Sequence, residues 1–229
     1  EYIRLDVLYE DNPYSTTESI PIESPFFKLE GKPLLVTVPT KEGILGDKLT
    51  AFAPNTTGIP YFKGDRNCNM EIIKQLYDIN RLFENVENFT ETFESFKRLS
   101  NVELGYRGLE GLINEYFEDV RQTALCISTR GQAGKGDIDY FLSGIKRVKS
   151  FMYKDKYMIE NAIKDASRVA YLTTCFEKGM LHIEKYSGNP EEIAFLKISD
   201  NISSKLRKLK SISPESYYYW AKTDELIKG

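Results

Sequence analysis

The sequence predicts an α+β protein, with strands at its N-terminal end and helices through the remainder. Apolar and polar residues alternate over roughly the first forty positions, and beyond them apolar residues recur three and four apart. The change of period falls at Pro39 and Thr40, where a proline closes a strand and a capping hydroxyl opens a helix.

Taken in order, "EYIRLDVLYE" sets Ile3, Leu5, Val7 and Tyr9 on one face and Tyr2, Arg4, Asp6 and Leu8 on the other, as a strand does. "STTESIPIES" is polar and contains Pro21, which suits an edge strand or an irregular ribbon. "KPLLVTVPT" makes a third strand. Thr40 then caps a helix that Pro54 stops, and "NTTGIPYFKGDRNCN" follows as a loop of the kind that often carries function. "MEIIKQLYDINRLFEN" places Ile72, Ile73, Leu76, Ile79 and Phe83 on one helical face and Glu71, Lys74, Gln75, Asp78 and Arg81 on the other. Further helices are predicted over 89–99, 101–128, 137–151, 155–178, 189–209 and 214–227, with breaks at "RGQAGKGD", near Tyr153, at "YSGNP" and at "SISP". No substantial strand is expected beyond residue 60, and no internal repeat or low-complexity segment is present.

With 229 residues the chain has ample length for a core. A net charge of −3 gives it no overall electrostatic footprint for nucleic acid, though a local basic groove is compatible with that average. The three cysteines are odd in number, widely spaced and without a CxxC pair, which argues against a disulfide framework or a zinc site and for a reducing compartment. No apolar run has transmembrane length and no signal peptide is visible, so the expected location is cytoplasmic, away from membranes. The sequence starts at Glu1 inside a strand-like pattern, from which a natural N-terminus upstream is expected.

Lys48 is the first residue that calls for a chemical explanation. At about 100° per residue, Ile44, Leu45, Leu49 and Phe52 share a stripe with Lys48 in its middle. An ammonium there must snorkel, pair, or line a polar cleft, where it would meet phosphate as a point charge. Asp6, on the polar face of the first strand, is a candidate Mg²⁺ ligand; the plainer reading is a solvated face shared with Arg4. Asp78 is a candidate catalytic carboxylate, or else the partner of Lys74 one helical turn earlier.

Other patterns read as structure. "GQAGKGD" lacks the spacing of a phosphate loop and follows no apolar strand. Asp137 and Asp139 sit where a helix opens, as cap and first-turn acids do. His182 is the sole histidine and reads as structural; the aromatics of "SYYYWAK" read as docking a terminal helix, and the cysteines as core.

In sequence order, "IRLDVLYE", "VTVPTKEGILGDKLTAFAPNTTGIPY" and "EIIKQLYDINRLFE" resemble the AbiEii/AbiGii nucleotidyltransferase toxin family over roughly residues 1–90. That family has a helix of the form e-x-i-l-a-d-K-l-x-A, which Leu45, Asp47, Lys48, Leu49 and Ala51 match here. Its following helix carries R-D-x-x-D, for which this chain has Lys74, Gln75 and Asp78. The resemblance implies a polymerase-β-like nucleotidyltransferase core, here its C-terminal part over residues 1–88, followed by a helical domain over 89–229. It implies transfer of a nucleotidyl group from an NTP, with Mg²⁺, to an RNA or protein acceptor, in a bacterial toxin–antitoxin or abortive-infection system with an antitoxin protein as partner. Lys48 and Asp78 would be catalytic, Lys48 and Lys74 would bind nucleotide, and Asp6 would hold metal.

The family's G-S or G-G-T turn and its D-x-D strand are absent from these residues. The chain is therefore expected to be the C-terminal portion of such a protein, inactive by itself; an upstream turn followed by D-x-D would support the enzyme. The competing reading is a non-catalytic α+β module that binds a protein partner through its helical half. On the enzyme reading, Asp6, Lys48 and Asp78 converge on one cleft within about 10–12 Å of one another.

Overall fold

The computed structural model describes residues 7, 9, 11–25, 28–152 and 156–229. The expected first strand lies outside these residues apart from Val7 and Tyr9, and so does Asp6. Strands β1 (Thr17–Pro21) and β2 (Leu35–Pro39) form an antiparallel ribbon with Thr17 opposite Pro39 and Pro21 opposite Leu35. β1 is exposed along its whole length, in keeping with its polar composition and Pro21.

Thr40 caps α1 (Lys41–Ala51), its hydroxyl accepting from the Gly43 amide at 3.2 Å. Between α1 and α2 (Asn69–Asn85) the loop folds back on itself through the two-residue pairing of β3 (Phe62–Lys63) with β4 (Arg66–Asn67). Gly64 supplies the positive φ, +58°, that this tight hairpin needs. The remaining helices are α3 (Phe89–Tyr106), α4 (Ile113–Ser128), α5 (Ile138–Val148), α6 (Ile159–Glu177), the short α7 (Leu209–Ile212) and α8 (Pro214–Lys228). The structure is thus α+β, with small two-stranded sheets ahead of a mostly helical remainder.

α6 is the central helix. Its sequence is small or apolar on nearly every side, and every residue from Ala162 to Phe176 except Lys164 is buried. It packs against α2, α4 and α8, while α1 lies against α2 and α3, and α2 against α5. One apolar core runs from Leu45 through to Ala221 and draws on residues from both sides of position 88. The tyrosines and tryptophan of α8 are buried in it as docking residues, with Trp220 Nε1 donating to Ser128 Oγ at 3.0 Å. All three cysteines are buried and free.

Two helix expectations need correction. The break between α3 and α4 lies at Arg107–Leu112 instead of Ser100, because Gly108 (φ +65°) and Gly111 (φ +80°) turn the chain there. The helix expected over 189–209 is replaced by 3₁₀ turns at Pro190–Ile193 and Ser204–Lys208, irregular chain between them, and α7. The reason is tertiary: Asp224 of α8 accepts from the Ser199 amide (2.8 Å) and hydroxyl (2.6 Å), which takes that backbone out of any helical ladder.

Candidate functional site

α1 carries Lys48 at the edge of its buried face. Leu45 and Leu49 are fully buried, as is Phe52 just past the helix, whereas Ile44 and Lys48 lie on the partly exposed flank. Gly46 faces α3 so closely that a Cβ there would lie 2.7 Å from the Phe96 amide nitrogen and the Thr92 carbonyl oxygen. This close approach fixes α1 against α3 and sets the angle at which Lys48 leaves the helix.

The ammonium of Lys48 crosses to α2. Nζ donates to Gln75 Oε1 at 3.0 Å and lies 3.3 Å from Asp78 Oδ2. Gln75 and Asp78 are three residues apart and so share one side of α2. The Lys48 and Asp78 side chains are 27% and 26% exposed. Lys74 is exposed on the outer surface of α2, and Asp78 turns to Lys48 instead.

Beside Lys48, Asp47 points back towards the N-terminal segment, where Tyr14 donates its hydroxyl to Oδ2 at 3.2 Å. Burial raises the Asp47 carboxyl, against the opposing influence of the Tyr14 hydrogen bond and of Lys48. Burial and the neighbouring carboxylate push the Tyr14 phenol up to about 12. Sequence reasoning missed Tyr14, because no local pattern ties residue 14 to residue 47. Gln75 was legible one turn before Asp78, though only as a replacement for an acid.

The loop after α1 is scaffolding. Asp119 of α4 accepts from the Asn55 amide (2.8 Å), Asn55 Nδ2 (2.6 Å) and Thr56 Oγ1 (3.0 Å). From the other side the Arg107 guanidinium donates to the carbonyls of Thr56, Thr57 and Gly58. Gly58 is obligatory, since a Cβ would stand 2.4 Å from the Ala53 nitrogen. The "GQAGKGD" loop is likewise structural: Gly134 lies against the backbone of α4, and Lys135 N donates to the Gln122 carbonyl at 3.1 Å. Asp137 caps α5 by accepting from the amides of Asp139 and Tyr140. His182 is exposed.

Among the described residues no group of three or more His, Cys, Asp or Glu side chains is placed to hold a metal ion. None of the described helices is long and apolar enough to cross a membrane.

The family model for the nucleotidyl transferase AbiEii toxin of type IV toxin–antitoxin systems matches residues 1–143, more than half of the chain. The chain belongs to that toxin family. No curated protein and no solved structure matches it.

Proposed function

We propose that this chain carries the lysine and aspartate of a nucleotidyl-transfer site that uses an NTP and Mg²⁺ and delivers the nucleotidyl group to a hydroxyl of RNA or protein. The observation that supports this reading is the Lys48–Asp78 pair: a cation held by two polar side chains of α2, partly open to solvent, in a member of a nucleotidyltransferase toxin family. In such a transfer the acceptor oxygen bonds to the α-phosphorus, the bond to pyrophosphate breaks, and the hydroxyl proton passes to a base. Lys48 would lie along the phosphate oxygens and neutralise charge there. Gln75 and Asp78 would keep Nζ in place when no phosphate is bound, and Lys74 would add a second cation at the outer surface of α2.

The described carboxylates do not make a metal cage, since Asp78 is engaged by Lys48 and Asp47 by Tyr14. On this proposal Asp6 would be the residue that holds Mg²⁺, and the ion would supply the charge that offsets the triphosphate. With no metal-holding group of carboxylates among the described residues, the 229 residues by themselves should not catalyse transfer. An antitoxin is the protein partner that the family supplies.

The test is transfer of label from each α-³²P NTP, with Mg²⁺, to RNA and to protein. Any protein that contains these residues and transfers label should lose the activity on Lys48→Ala, while the 229-residue chain by itself should be silent. Unimpaired transfer by Lys48→Ala would reject the site, and robust transfer by the isolated chain would reject the assignment of the metal ligands.

A further inference from the structure

Residues 194–212 form a surface of two strips lying side by side. Lys210 Nζ donates to the Ala194 carbonyl at 2.9 Å, and Arg207 Nε donates to the Ile198 carbonyl at 3.0 Å. The segment 194–198 therefore runs antiparallel to the chain from Arg207 to Lys210.

Each strip has an inner and an outer side. Along the first, Leu196 and Ile198 turn inward while Phe195 and Lys197 are exposed, as alternate residues of extended chain are. Along the second, Leu206 and Leu209 are buried, and Lys205, Lys208 and Ile212, spaced three and four apart, are exposed. Phe195 is 93% exposed and Ile212 66%. Phe195 is nevertheless held in place. Lys210 donates to the carbonyl before it, and the hydroxyl of buried Tyr217 donates to the carbonyl after it, that of Leu196, at 2.8 Å. A ring on a pinned loop gives up little backbone freedom when something covers it.

The same surface carries Lys197, Lys205, Arg207, Lys208 and Lys210, in a chain whose net charge is −3. Its one acid, Asp200, lies 2.9 Å from Arg207. Of the acids just ahead of it, Glu192 accepts from Ser187 and Glu191 is exposed. Lys197, Lys205 and Lys208 have no ion-pair partner among the described residues. The surface is locally positive, and three of its cations are uncommitted.

That mixture narrows the partner. Protein interfaces are poor in lysine and rich in arginine and clustered aromatics, whereas here the one arginine is taken by Asp200. A nucleic acid would use the lysines but would find a single exposed ring to stack on and no use for Ile212. A bilayer surface uses every part: protruding apolar side chains enter the boundary of headgroups and acyl chains, and hydrated ammonium groups stay among anionic headgroups. We propose that this face docks the chain reversibly on an anionic lipid surface, with Phe195 and Ile212 inserted and Lys197, Lys205 and Lys208 at the headgroups. The location expected from the sequence rested on spanning segments, and a chain can lie on a membrane without crossing it.

Co-sedimentation of the 229-residue chain with vesicles tests this. It should bind vesicles of phosphatidylcholine and phosphatidylglycerol in equal parts, ignore phosphatidylcholine alone, and be released as salt is raised. Phe195→Ser should weaken binding about tenfold or more. Lys205→Gln and Lys208→Gln should each weaken it about fivefold. All three positions are exposed, and circular dichroism checks that the variants fold. Phe195→Trp gives a direct readout, since the native Trp220 is buried: its emission should move to shorter wavelength when the mixed vesicles are added. No binding to the mixed vesicles, equal binding to phosphatidylcholine, full affinity in Phe195→Ser or an unmoved emission would each overturn the proposal. If polyuridylate binds through these lysines and the vesicles do not, the face is a nucleic-acid surface and the proposal fails.

Discussion

Lys48 of α1 and Asp78 of α2 meet at 3.3 Å across the junction of their helices, with Gln75 as a third partner at 3.0 Å from the same ammonium. Each of the two charged side chains keeps about a quarter of its surface in solvent, so the pair is neither a buried ion pair nor a free surface one. Water still solvates both charges, and the net stabilisation from bringing them together is correspondingly small.

Lys48→Ala and Asp78→Asn should therefore each cost no more than about 1 kcal/mol of stability, and a double-mutant cycle should show a coupling of similar size. Urea unfolding of the four proteins measures this. A loss of 3 kcal/mol or more, on the order expected for a stranded buried charge, would return Lys48 to a purely structural role.

Asp119 has a different weight. It is 8% exposed and takes three hydrogen bonds from the Asn55–Thr56 loop, so Asp119→Ala strands donors as well as removing bonds. A loss of about 2–4 kcal/mol is expected, with faster proteolysis between Asn55 and Tyr61 as the local sign. A change within 0.5 kcal/mol, the usual range for surface substitutions, would show that Arg107 alone holds the loop.

Two glycines should respond with opposite signs. Gly46→Ala puts a methyl group 2.7 Å from the backbone of α3, which must move away, so the expected cost is about 2 kcal/mol or more. Gly105→Ala, inside α3 with nothing within 4 Å of the added carbon, should stabilise by about 0.5–1 kcal/mol. Thermal melts of the two variants give the comparison, and equal effects would contradict the helix packing described.

Asp165 gives a pH signature. Burial pushes its carboxyl up to about 7 from an ordinary 3.8, although the Tyr157 hydrogen bond and the charges of Arg168 and Lys164 act the other way. Between those values the folded protein holds a proton that the unfolded chain has lost. The Asp165 contribution to stability therefore falls as pH rises from 3.8 to about 7, at no more than about 1.4 kcal/mol per pH unit. Asp165→Asn cannot ionise, so its stability relative to the parent should climb through that window and level off above it. A flat difference between the two proteins from pH 4 to 7 would show that Asp165 titrates normally.

The periodicity of the sequence was enough for the α+β class, the Thr40 cap, the Lys48 helix, α2, and the structural roles of Asp137, the cysteines and the α8 aromatics. These are local matters: a capping hydroxyl, a proline stop or a helical apolar stripe acts within a few residues, and the chain carries the signal where it is needed. The helix expected over 189–209 failed because a residue from α8, Asp224, claims the Ser199 backbone, and no window of sequence contains both. The α3–α4 break was misplaced for a local reason instead, since the two turning glycines lay within an apolar pattern that continued past them.

The sequence by itself determined which residues could carry phosphate chemistry, because a lysine on an apolar stripe stands out against its helix. Only the tertiary structure decided where that charge goes. Asp78 could have paired with Lys74 one turn away; it meets Lys48 because α1, drawn tight to α3 at Gly46, carries its ammonium to the side of α2 that Gln75 and Asp78 share. The exposed Phe195 had no sequence signal at all, because the sequence predicts a helix through it. It stands in solvent because Tyr217 and Asp224 of α8 hold the backbone of Leu196 and Ser199, and contacts between residues so far apart are a property of the packed core.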